Sequence, residues 1–179
     1  GGLAAWGVPV IGCGHSARRT EVLKARTLGV GVAGALIRTF LITGGALLQL
    51  LTLRAEGWQL FWALSVIGLS ARLSLQTLAV VSKPSHQGSG AVFLKAMKGW
   101  RGAAGFCLSI ATLTALSSLY SPRGTLAAAG AAVLIGLAIA IMGWRCFGGA
   151  GGDLLGAAVE FGRLGALLAL VAVLLHAGS

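Results

Sequence analysis

Residues 125–144 read TLAAAGAAVLIGLAIAIMGW and contain no charged side chain. A bilayer crossing takes about 20 apolar residues at a 1.5 Å rise per residue, so this stretch can span the hydrocarbon by itself. It is rich in Leu and Ala and lacks the period-2 alternation of a barrel strand, which predicts a helix. Its borders are as clear as its interior. Ser121-Pro122-Arg123-Gly124 precedes it as a turn, and Arg145 and the glycines of 148–152 follow it.

Similar runs recur at 28–53, 58–81, 102–120 and 154–175. They are broken by Arg54-Ala55-Glu56-Gly57 and by the polar stretch 82–101, a loop with room for a short surface helix. The fold expected is an all-α, polytopic membrane helical bundle of about five transmembrane helices, forming one membrane domain over residues 1–179. Trp58 and Trp62 at the start of the second run suit an interfacial aromatic belt.

Composition agrees. The chain is 56% hydrophobic and only 10% charged, with a mean hydropathy of +0.89. A soluble domain carries about 25% charged residues to face water. The net charge of +10 would suggest nucleic acid in a soluble protein, but here it reads as basic loops held on one side of a membrane. Membrane lipid, not nucleic acid, is the expected partner. Cys13, Cys107 and Cys146 have no CxxC spacing, which argues against a disulfide framework, and Cys107 reads as a small buried side chain. The chain opens Gly1-Gly2-Leu3 with no visible signal peptide, so a processed start or a fragment is expected.

With five spans, the N-terminal side carries nine basic residues: Arg18, Arg19, Lys24, Arg26, Lys83, Lys95, Lys98, Arg101 and Arg145. The other side carries two, Arg54 and Arg123. This asymmetry places the N-terminus in the cytoplasm. It also gathers segments 1–27, 82–101 and 145–153 on that face, where a site is expected.

Arg38, Arg72 and Arg163 lie inside apolar runs, where charge is costly and normally faces a bundle interior or cavity. Arg38 and Arg72 each suit either a phosphorylated substrate or a structural pair or snorkelling role. Asp153 and Glu160, seven residues apart, share one helical face two turns apart, with Gly156 and Ala157 between them. The preceding glycines would let backbone N–H groups approach a phosphate at a helix start. The alternative is a hairpin with Asp153 as a cap and Glu160 paired with Arg163. Gly29-Val30-Gly31-Val32-Ala33-Gly34 spells GxGxxG, but no strand precedes it, so close helix packing explains it better than a dinucleotide. A metal site from Cys13, His15, His86 and Cys146 is compatible with the shared face, though no spacing requires it.

Gly148–Glu160, GGAGGDLLGAAVE, resembles the C-terminal GGxTGDxLGAxxE signature of the cobalamin synthase family, the adenosylcobinamide-GDP ribazoletransferases. Arg18–Gly29, RRTEVLKARTLG, is similar to that family's RRLEIMKDxRxG segment, and GGLAAWGV at 1–8 aligns with its acidic DGLADxxD motif. Gly88-Ser89-Gly90 looks like its central GxG loop, with Arg72 upstream. The resemblance covers nearly the whole chain, and the family is longer, so an N-terminal portion is expected outside it.

The resemblance implies a Mg²⁺-dependent transferase of cobalamin (vitamin B12) biosynthesis in the cell membrane, the inner membrane in bacteria. It would join α-ribazole or its phosphate to adenosylcobinamide-GDP with release of GMP. Carried over, Asp153 and Glu160 are catalytic, Asp153 is the metal ligand, and Gly149, Gly152, Lys24 and Arg72 bind substrate. The chain departs from the pattern at Gly1, Ala5, Val8 and Ala25, where the family has Asp, at Gly151 in place of Thr, and at Arg163 in place of an acid. A catalytically degenerate member, or a non-catalytic substrate-binding or transport subunit, is therefore the alternative reading. Transporters are expected to show repeated halves or broken helices, and the sequence shows no clear repeat.

Overall fold

The computed structural model describes residues 41–45, 47–48, 57–85 and 89–177. Five helices are followed end to end: α1 (Gly57–Val81), α2 (Ser89–Met97), α3 (Trp100–Ser117), α4 (Pro122–Phe147) and α5 (Gly152–Ala177). Residues 41–45 and 47–48 are helical as well. Among the described residues there is no strand, only an isolated parallel bridge between Pro84 and Ala150. The protein is an all-α membrane bundle.

Three of these helices, α1, α4 and the Gly152–His176 part of α5, are long and apolar enough to cross a bilayer. They also pack most extensively on one another. α3, with 18 residues, covers the third apolar run and is outside that set. Most of the run at 28–53 lies outside the described residues.

Helix ends follow local chemistry. Ser121 caps α4, its hydroxyl accepting from the Gly124 N–H at 3.1 Å, and Pro122 occupies the first turn, where its missing N–H costs nothing. Residues 122–124, read from sequence as a turn, are thus already helix. The polar stretch 82–101 contains α2 and the start of α3, consistent with the short helix expected there.

Two apolar clusters fill the bundle. One joins Trp62, Val66, Ile67, Leu113, Leu167 and Leu170. The other joins Leu78, Leu94, Ile139, Leu154 and Ala158 near the opposite end. Between them the helix axes close in on Ser74. A Cβ on Gly136 would lie 2.6 Å from the Ser74 carbonyl oxygen, and one on Gly162 would lie 2.5 Å from the Ser74 Cβ. Lipid tails are as apolar as Leu, so membrane helices gain cohesion from such close small-residue contacts.

Two expectations are corrected. Trp62 is buried, its indole N–H donating to the Leu116 carbonyl at 2.7 Å, and so it ties α1 to α3. Trp58 is the exposed member of the pair. Cys107 is exposed on α3 beside exposed Leu108 and Ile110. An apolar run does not enforce burial when the surrounding solvent is hydrocarbon.

Candidate functional site at the glycine-rich end

Glycine chemistry builds one end of the bundle. α4 stops at Gly148, whose φ of +68° lies in the left-handed region that glycine adopts without strain. The Gly149 N–H then bonds back to the Gly143 carbonyl at 3.2 Å, the six-to-one closure of a helix C-terminus. Gly149 is buried against the chain entering from α1: a Cβ there would sit 2.5 Å from the Lys83 carbonyl oxygen and 2.9 Å from the Ser85 nitrogen. Ala150 pairs with the same segment in both directions. Its N–H donates to the Lys83 carbonyl at 2.7 Å, and its carbonyl accepts from the Ser85 N–H at 3.1 Å.

Segment 82–85 thus locks the hairpin, and α2 locks the start of α5. A Cβ on Gly90 would lie 2.5 Å from the Gly152 nitrogen and 3.1 Å from the Gly151 carbonyl carbon. Gly152 itself is exposed, with open space where its Cβ would be. The Leu155 N–H bonds the Gly151 carbonyl at 3.2 Å, so the helix has begun before Asp153. Asp153 is accordingly not the cap. It is an exposed carboxylate in the first turn, where the helix dipole favours negative charge.

Glu160 lies two turns further along α5 and pairs with Arg163, Oε2 to Nη1, at 3.6 Å. Their side chains are 41% and 50% exposed. The ion-pair reading of Glu160 is therefore the observed arrangement. On α5, Gly162 meets Ala71 and Ser74 of α1, and Gly165 meets Ile135 and Ala131 of α4. At 100° per residue, the face of α5 opposite α4 carries Asp153, Gly156, Glu160 and Arg163. On α1, whose Ser74 and Thr77 meet Gly136 of α4, the face opposite α4 carries Gly68 and exposed Arg72. Arg72 and the Glu160–Arg163 pair thus share one side of the α1–α5 pair, near the level where Ala71 meets Gly162.

The structure therefore brings Gly149, Gly152 and Asp153 together at the hairpin, with Gly90 supporting it. Arg72 and Glu160 lie deeper along the same side of the α1–α5 pair. Lys24, Arg38, Cys13, His15 and His86 lie outside the described residues. No group of three His, Cys, Asp or Glu side chains suited to a metal occurs among the described residues. Asp153 is thus the one carboxylate of the described chain at this end. It meets the minimum for a Mg²⁺ held by one or two carboxylates together with substrate phosphates. Sequence reasoning missed the Lys83–Ser85 pairing with Ala150. Pro84 beside a glycine loop was the only available signal, and it does not name a partner.

Comparison with known proteins adds an independent line. The family model described as cobalamin-5-phosphate synthase matches residues 8–171. An adenosylcobinamide-GDP ribazoletransferase of Thermococcus gammatolerans is 29% identical over 177 residues, covering 99% of this chain and 71% of that protein. That of Thermococcus kodakarensis is 31% identical over 173 residues, covering 96% and 69%. A third, from Pyrococcus abyssi, is 28% identical over 169 residues, covering 94% and 68%. No solved structure matches the chain.

Proposed function

Because the chain belongs to the cobalamin-5-phosphate synthase family, we propose that it joins α-ribazole or its phosphate to adenosylcobinamide-GDP, releasing GMP in the last step of cobalamin assembly. An oxygen of the ribazole substrate attacks the phosphorus attached to cobinamide, a hydroxyl giving up its proton to water. The new P–O bond replaces the bridge to the guanosine-bearing phosphate, and GMP departs with that bridging oxygen.

The observation that supports this reading most directly is the seating of Gly90 on Gly152 beside exposed Asp153. Two glycine segments far apart in sequence meet there and leave a carboxylate and a helix N-terminus facing out. Such an end suits a diphosphate, through backbone N–H groups and through a metal held by Asp153. When bound, Mg²⁺ would offset the charge developing on the departing phosphate. Arg72 would approach substrate phosphate from α1, and Lys24 would add a second cation. Glu160 holds Arg163 in place, which makes it a positioning residue in this scheme.

The membrane setting is the cell membrane, with five spans and the N-terminus cytoplasmic. Basic Lys83, Lys95, Lys98, Arg101 and Arg145 all belong to segments at the glycine-rich end, in keeping with that orientation. A non-catalytic transport subunit gains no support from α1, α4 or α5, which run unbroken. Expression in cells lacking the final cobalamin step tests the proposal. Growth without added cobalamin is expected, and membrane-inserted protein that makes neither cobamide nor GMP would overturn it.

A further inference from the structure

α2 and the first turn of α3 form an elbow whose outward chemistry the reaction does not use. α2 buries Gly90 and Leu94 against the bundle and directs Val92 and Phe93 outward. Val92 is 69% exposed and Trp100, at the start of α3, is 77% exposed. Interleaved with them are exposed Lys95, Lys98 and Arg101. The Arg101 guanidinium lies 5.8 Å from the centre of the Trp100 ring. None of the three cations joins the one ion pair found among the described residues, Arg163–Glu160.

The depth of the elbow follows from its contacts. Gly90 rests on the Gly152 backbone, where α5 begins, and Lys83 and Ala150 are paired in the adjacent turn. α4 and α5 end and begin at this level after a full membrane length, so the elbow lies at the headgroup boundary. Aromatic and aliphatic side chains interleaved with lysine and arginine at that depth match a lipid surface with negative headgroups. We propose that the α2–α3 elbow is a docking surface for anionic phospholipid. Val92, Phe93 and Trp100 enter the acyl boundary, and Lys95, Lys98 and Arg101 hold headgroup phosphates. The proposal does not depend on the reaction assigned at Asp153.

The test uses the whole chain in phosphatidylcholine vesicles containing phosphatidylglycerol. The readout is the fraction of spin-labelled phosphatidylglycerol held by the protein, relative to spin-labelled phosphatidylcholine. Preference for phosphatidylglycerol is expected in the unaltered chain. It should fall about threefold or more in K95Q/K98Q/R101Q, since each interfacial cation contributes up to about fivefold. Arg123→Gln, at the opposite end, should leave it unchanged. An undiminished preference in the triple variant overturns the proposal, as does an equal loss in Arg123→Gln, which would make net charge the cause. If the triple variant loses helical circular dichroism, K95Q and R101Q singly decide: a loss in each supports the surface, and no loss in either overturns it. Displacement of the lipid by millimolar inorganic phosphate would indicate a free-phosphate site and also overturn the lipid assignment.

Discussion

Gly90 and Gly152 meet backbone to backbone: a Cβ on Gly90 would stand 2.5 Å from the Gly152 nitrogen. The contact is asymmetric, because Gly152 has nothing within 4 Å of its own missing Cβ. Gly90→Ala must push α2 off the start of α5, which costs about 1–3 kcal/mol of overpacking. Gly152→Ala has room. Melting in detergent should therefore show a lower Tm for Gly90→Ala and little change for Gly152→Ala. Equal Tm values for the two variants would contradict the contact.

The crossing at Ser74 makes a second prediction. Gly162→Ala drives a methyl into the Ser74 side chain, 2.5 Å from its Cβ, and should destabilise by about 1–3 kcal/mol. Ser74→Gly removes the obstacle, so the double variant should recover much of that loss. A coupling of about 0.5 kcal/mol or more in the four-variant cycle is expected, and simple additivity would refute it.

Ser74 also carries a buried hydroxyl with no hydrogen-bond partner. Thr77, by contrast, donates to the Leu73 carbonyl at 2.8 Å. Replacing an unpartnered buried hydroxyl by a methyl-sized side chain removes a desolvation cost. Ser74→Ala should be neutral or slightly stabilising, whereas a Tm several degrees lower would show that the hydroxyl has a role.

Asp153→Asn keeps the shape of an exposed first-turn side chain and removes its charge. Stability should move by less than about 0.5 kcal/mol. Ribazole transfer should fall about a hundredfold, the scale of losing one group that steadies charge in the transition state. Glu160→Gln should have a smaller effect on transfer, because Glu160 is engaged with Arg163. Rates of GMP release from membranes carrying each variant give the comparison, and a greater loss in Glu160→Gln would reverse the two assigned roles.

The orientation is tested at the tail. Ser179→Cys should label with a membrane-impermeant thiol reagent from outside the cell, as five spans with a cytoplasmic N-terminus require. Labelling only after the membrane is opened would invert the topology.

Much of this was legible in the sequence because hydrocarbon is an undiscriminating solvent. An uncharged run such as 125–144 has few options other than a spanning helix, since every backbone N–H and C=O must be satisfied within it. α4 fills that run and extends to Pro122–Phe147. The i, i+3 spacing of Glu160 and Arg163 likewise made their pairing available before any tertiary contact. The sequence also held Gly88–Gly90 and the glycines of 148–152, though not what they are for. The use of Gly90 and Gly149 depends on which backbone comes close to which, and only helix packing decides that. The burial of Trp62 and the exposure of Cys107 were illegible for the same reason. In a membrane bundle, apolar side chains are equally at home against lipid or protein, so hydropathy places the helix and only packing decides which of its faces is inside.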